Sequence, residues 1–166
     1  MHRDAQRQVY ELMAPKLYRT CRRYLKKEEE AEEALADAFY SIFTKIHQLS
    51  DVRVFEAWAR KITVNQCLLS IRKNVNFNLY LDDVKLLSQP VTDHVTDLEE
   101  EDLLNLLQLI PSGCSTVFNL FVIEGYSHKE IASMLSVSEG TSKSQLNVAK
   151  TKLKELINNM YYQKAE

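Results

Sequence analysis

The sequence predicts an all-α fold of two small helical domains, and three observations carry that prediction. Apolar residues recur at three-four spacing along most of the chain, helix start and stop residues punctuate that spacing, and near the middle it lapses into an acidic stretch. With 166 residues, 45% of them hydrophobic and 27% charged, the chain has the composition of a folded protein and the length of one ordinary domain or two small ones. The organisation expected is a three-helix N-terminal domain over residues 1–75, a flexible acidic linker over 76–97, and a four-helix C-terminal domain over 98–166 that contains a helix-turn-helix.

Taken in chain order, Val9, Leu12, Met13, Leu17, Tyr18, Cys21 and Leu25 trace a first helix through Pro15, which is expected to kink or interrupt it because proline lacks the amide donor. The firmest helix runs from Glu28 to Leu49. There Ala31, Ala34, Leu35, Ala38, Phe39, Ile42, Phe43 and Ile46 form one buried stripe, and the acidic residues between Glu28 and Glu33 sit where the helix dipole favours negative charge. Phe55, Trp58, Ala59, Ile62 and Leu69 mark a third helix that ends at about Lys73. Between Asn74 and Thr96 the periodicity is lost, as in a linker. Four helices follow: Leu98 to Ile110, stopped by Pro111; about Ser115 to Glu124, stopped by Gly125; Ser127 to Leu135; and Ser138 to about Met160.

The net charge of −2 conceals a segmentation, with +4 over residues 1–75, −7 over 76–102 and +1 over 103–166. Local charge is what meets phosphates, so a near-neutral total does not exclude a DNA partner. Cys21, Cys67 and Cys114 are too widely spaced for a zinc site or an evident disulfide and read as small core or surface residues. His2, His47, His94 and His128 are dispersed, and there is no H-E-x-x-H, Walker loop or nucleophile elbow. An enzyme is therefore not expected, and neither is a metal or a cofactor. With no N-terminal apolar segment after "MHRDAQRQVY" and no apolar run long enough to span a bilayer, the expectation is a cytoplasmic protein without membrane insertion.

The stretch "SHKEIASMLSVSEGTSKSQLNVAK", residues 127–150, carries the most specific local signal. Ser127 and Glu130 have capping-box spacing, and Tyr126 and Ile131 occupy the two positions of a hydrophobic staple, together worth roughly 1–2 kcal/mol. "LSVS" is the turn, and Ser138 is placed to cap the second helix. On that helix Leu146, Ala149, Leu153, Leu156, Ile157 and Met160 make the buried stripe, leaving Lys143, Asn147, Lys150 and Lys154 together on another face. A recognition helix needs this arrangement. The hydroxyls of Thr141, Ser142 and Ser144 suit phosphates, Lys143 and Gln145 suit base edges, Asn147 shares their face, and Lys150 suits a further phosphate. A helical hairpin with a solvated, lysine-rich outer face has the same spacing, so spacing leaves both readings open.

"IPSGCSTVFNLFVIEGYSHKEIASMLSVSEGTSKSQLNVAKTKL", together with "VYELMAPKLYRTCRRYL", "AEEALADAFYSIFTKIHQL" and "FEAWARKITVNQCLLSIRK", resembles the extracytoplasmic-function class of bacterial sigma factors, the promoter-recognising subunits of RNA polymerase. The resemblance covers most of the chain outside the linker. It implies that residues 1–75 correspond to sigma region 2 and residues 98–166 to sigma region 4. By the same resemblance, Glu33, Asp37 and Phe39 contact the clamp helices of the largest polymerase subunit, and the flap is a further polymerase contact. The loop from Ser50 to Val54, including Arg53, and the "FEAW" helix correspond to the part that opens and reads the promoter-proximal element. Trp58 and Asn65 lie there, and Arg60, Lys61, Arg72 and Lys73 supply phosphate-facing charge. The linker is implied to thread the polymerase interior, and an anti-sigma factor is the implied regulator.

The sequence departs from the family pattern at several positions. Ala36 replaces the usual glutamine of the clamp-binding motif, "SDVRV" lacks the loop's usual glycines, and Leu69 replaces an aspartate. Ser115, Gln145 and Val148 stand where basic residues are frequent, so unaided binding to the distal element is expected to be weak, each missing phosphate contact lowering the salt slope by roughly 0.9. The alternative function is a stand-alone helix-turn-helix regulator that binds DNA without polymerase.

Overall fold

The computed structural model describes residues 3–74 and 100–164. The linker expected over 76–97 lies outside the described residues. All regular structure among the described residues is helical, and the chain divides into two compact units, one within Met1–Asn74 and the other within Val75–Glu166.

The first unit is built from α1 (Arg3–Tyr24), α2 (Glu28–Lys45) and α3 (Phe55–Asn74), each packed on the other two. Helix α1 continues through Pro15 without interruption. An internal proline costs about 3 kcal/mol, but Met13 and Leu17 on either side of it are both buried and hold the helix to the core. At the start of α2, the Lys27 N-cap makes no side-chain hydrogen bond. The carboxylates of Glu28, Glu29 and Glu30 therefore face the partial positive charge of the open N–H groups.

Ala31, Ala34, Leu35, Ala38, Phe39 and Ile42 of α2 are buried as the spacing predicts. On α3 the predicted stripe is misplaced. The buried residues are Ala59, Thr63, Val64, Cys67 and Leu68, whereas Leu69 is 46% exposed and Asn65 is exposed. Polar links fix the helices: Lys16 Nζ lies 3.0 Å from Glu56, and Gln66 Nε2 donates to Ser41 Oγ at 3.0 Å.

The second unit contains α4 (Glu100–Leu109), α5 (Ser112–Phe118), α6 (His128–Leu135) and α7 (Glu139–Lys164). Helix α5 begins at Ser112, before the expected Ser115. Pro111 both ends the preceding segment and starts this helix, because its fixed φ is pre-organised there and its carbonyl accepts from Ser115 N at 2.9 Å. The chain then widens into a π turn over Asn119–Ile123, closed by Glu124 N donating to Asn119 O at 2.9 Å. Gly125 follows with φ +78, a left-handed conformation that ends the helical segment where the sequence places its stop.

Leu106, Leu107, Ile110 and Cys114 pack against Ala149, Leu153 and Ile157 of α7 to form the core. The three cysteines are free and buried. Cys67 is held above the usual thiol range by its hydrogen bond with Cys21 and by burial, and burial pushes Cys114 up to about 11.

Two outcomes are expected. Gly125→Ala places a Cβ in open space, so only backbone strain acts, and denaturant titration should show a loss of about 1–2 kcal/mol. A charged aromatic disulfide reagent followed by absorbance should titrate none of the three thiols in the native protein and all of them in denaturant.

Candidate functional site

The helix-turn-helix is fixed locally before it is fixed by packing. Ser127 Oγ accepts from Glu130 N at 3.3 Å, and Ser127 N donates to Glu130 Oε2 at 2.8 Å, completing the capping box. At the other end of α6, Ser136 adopts φ 56, and Val137 N donates to Ala132 O at 3.0 Å, which closes the turn. Ser138 caps α7, its Oγ accepting from Thr141 N at 2.9 Å. His128 ties the two helices together: its ring stacks on Phe121 with centroids 4.4 Å apart, and its Nδ1 lies 2.9 Å from Ser142 Oγ.

This packing sorts the residues predicted to meet the promoter-distal element. Lys143, Ser144, Asn147 and Lys150 are exposed, and Thr141 is half-buried with its hydroxyl 2.9 Å from Ser138 Oγ. Ser142 and Gln145 are corrected: they are 0% and 2% exposed and face inward. Ser142 is engaged by His128, and Gln145 Oε1 accepts from Cys114 Sγ at 2.8 Å, a bond that satisfies both groups where water cannot reach. Val148 packs partly buried against the core, and Ser115 is buried with its hydroxyl donating to Ser112 O at 3.0 Å. Ser115 and Gln145 thus face the interior of this unit, and Val148 lies half-buried at its edge.

In the first unit, Trp58, Lys61, Asn65 and Arg72 fall on one side of α3 at about 100° per residue, with Leu69 among them. Lys61, Asn65, Arg72 and Lys73 are exposed, and Trp58 is half-buried beside Phe55, ring centroids 6.1 Å apart. Arg60 is half-buried and falls well off this face, so the structure does not bring it together with the others. The loop ahead of α3 is a 3-10 turn, Val52–Val54. It owes its shape to Asp51, whose Oδ1 accepts from Arg53 N at 2.9 Å. The Arg53 guanidinium folds back to 3.0 Å from the same carboxylate and holds the Asp51 pKa below the usual carboxylate range. Asp51 supplies by side chain the tight turn that glycines would otherwise permit.

On α2, Glu33 and Asp37 are exposed, together with Ala36 and Tyr40. Phe39 is corrected: it is 4% exposed, packed 4.6 Å from the Tyr10 ring and 5.7 Å from Phe43, and belongs to the core. Sequence reasoning passed over Tyr40, although its position three residues after Asp37 and seven after Glu33 was the available signal. Among the described residues no cluster of His, Cys, Asp or Glu can hold a metal, and no helix is long and apolar enough to cross a membrane.

Residues 9–76 match the sigma-70 region 2 family and residues 100–153 match sigma-70 region 4. The chain is 27% identical to the ECF RNA polymerase sigma factor SigW of Bacillus subtilis, covering 95% of this chain and 91% of that protein. It is 29% identical to the ECF RNA polymerase sigma factor SigM of Mycobacterium tuberculosis, covering 85% of this chain and 71% of that protein. The crystal structure of the sigma factor RpoE from Bartonella quintana, solved with the anti-sigma factor NepR, shares the fold with a TM-score of 0.54 at 21% identity, over 92% of this chain and 96% of that one. Region 2 followed by region 4 defines a sigma-70-type transcription initiation factor. The chain belongs to that family, in its extracytoplasmic-function class.

Burial separates two kinds of variant on α7. Lys143→Ala and Lys150→Ala should each flatten the dependence of duplex binding on salt by roughly 0.9 in log–log slope, measured by fluorescence anisotropy, with unchanged melting. Gln145→Ala should leave that slope unchanged and lower the unfolding free energy by about 1–3 kcal/mol, because it strands the buried Cys114 thiol and opens a cavity.

Proposed function

We propose that this sigma factor directs core RNA polymerase to a bipartite promoter through surfaces divided between its two units. The observation that carries the proposal is the presence in one chain, in order, of a region 2 unit with an exposed acidic face on α2 and a region 4 unit with an exposed basic face on α7. On α2, Glu33 and Asp37 meet the clamp helices of the polymerase. On α3 and the turn before it, Asn65 and Trp58 serve the promoter-proximal element, with Lys61, Arg72 and Lys73 toward phosphates. Arg53 contributes there only by leaving Asp51, and Arg60 lies off the face.

On α7, Lys143, Ser144 and Asn147 face the promoter-distal element, with Thr141 and Lys150 at its backbone. Because Ser142 and Gln145 are turned inward, this reading set is small. Specific affinity therefore depends on both units engaging at once, with the polymerase setting their effective concentration. The chain itself contributes binding and positioning, and the chemistry of nucleotide addition resides in the polymerase. The flap is a second polymerase contact, and an anti-sigma factor that covers these faces is the regulator, in line with the complex formed by the Bartonella protein.

The test is run-off transcription with purified core polymerase and a pool of genomic fragments. The protein should yield discrete transcripts that core polymerase alone does not, and Asp37→Arg should reduce them at least about tenfold while melting as the parent does. Duplex binding without polymerase and no transcripts would instead identify a stand-alone regulator.

A further inference from the structure

The exposed side of α2 carries one residue whose chemistry does not match solvent. At about 100° per residue, Glu33, Ala36, Asp37 and Tyr40 fall within a quarter-turn or so of one another, and Tyr40 lies between the directions of Ala36 and Asp37 one turn further on. Its side chain is 73% exposed in the middle of a well-packed helix, not in a loop. Its backbone carbonyl accepts from Thr44 Oγ1 at 2.8 Å. Long side chains on a helix lean toward its N-terminus, so the phenol projects over the turn that holds Ala36, whose methyl leaves the ring standing above its surroundings.

The neighbours of this ring define what would cover it. Among the described residues, no cation pairs with Glu33 or Asp37, although Lys27 lies 3.1 Å from Glu30 on the same helix. An uncompensated acidic stripe around an exposed aromatic repels nucleic acid and suits a cationic protein surface with an apolar centre. Tyrosine is among the residues that most often carry binding energy at such centres, since it buries a large rigid area at low entropic cost. To one side the aromatic character continues, with Tyr10 half-exposed above Phe39, their rings 4.6 Å apart.

From this placement we infer that Tyr40 is the anchor of the polymerase-docking face, its ring inserting into an apolar recess of a basic clamp surface while Glu33 and Asp37 pair with the cations around it. The inference rests on the reading of α2 as the docking helix. It adds that the affinity is centred on an aromatic residue, with the carboxylates contributing steering and salt dependence.

The experiment is equilibrium binding of the full chain, fluorescently labelled, to purified core polymerase at low and moderate salt. The variants are Tyr40→Ala, Tyr40→Phe and Asp37→Arg, each with a thermal melt. Tyr40→Ala is expected to weaken binding by about 10- to 100-fold at both salt concentrations, and Tyr40→Phe by only a few fold. Because alanine is the better helix former and the ring is exposed, the Tyr40→Ala melt should be unchanged or slightly higher, a combination that a merely structural role would not give. If Tyr40→Ala binds core polymerase as the parent does while Asp37→Arg does not, the docking helix stands and the anchor is overturned. If both bind as the parent does, the docking face itself is overturned along with the anchor.

Discussion

The burial of one side of α7 is the constraint on which the DNA-reading half of this protein depends. Ala149, Leu153 and Ile157 lock against Leu106, Leu107, Ile110 and Cys114, and this contact sets the rotation of the helix about its own axis. Fixing that rotation fixes which side chains leave the surface. It turns Ser142 and Gln145 inward and Lys143, Asn147 and Lys150 outward, so which side chains are exposed follows from apolar packing on the far side of the same helix. Hydrogen bonds then sharpen the placement. The Cys114–Gln145 and His128–Ser142 contacts each join α7 to a different neighbouring segment, resisting both rotation and sliding.

The first unit solves a different problem with similar means. Its three helices share one core, and their outer sides carry opposite chemistry: free carboxylates on α2, and lysine, arginine and an amide on α3. Such separation presents two surfaces of different charge from one small core. The turn between α2 and α3 belongs to this division, because the Asp51 clasp on Arg53 engages one cation and holds the backbone shape.

Much of this was legible from residue order. Helix α2 shows its stripe plainly because apolar residues recur at three-four spacing from Ala31 to Ile42, with Glu32, Glu33, Asp37 and Ser41 among the positions between them. The capping box of α6 is readable because both of its interactions are made within four residues. Helix α3 was misread by part of a turn: its core is completed by Thr63 and Cys67, which look polar or ambiguous in sequence, while the apolar Leu69 points outward. Gln145 was misread for the reverse reason. A polar residue in a basic segment suggests a DNA contact, and only the tertiary proximity of Cys114, 31 positions earlier, reveals its partner. Phe39 belongs to the core through Tyr10 and Phe43, which agrees with its place in the stripe.

The π turn at Asn119–Ile123 has a consequence for how the two halves of the second unit are joined. A turn of this kind accommodates one residue more than an α-helical turn over the same path, so the flanking segments keep their facing directions despite the extra residue. Asn119 and Leu120 remain buried within it, and the cap of α6 follows undisturbed only four residues after Ile123. The junction ahead of the helix-turn-helix therefore takes up an extra residue within a buried turn, and the start of α6 is set afresh by its own cap.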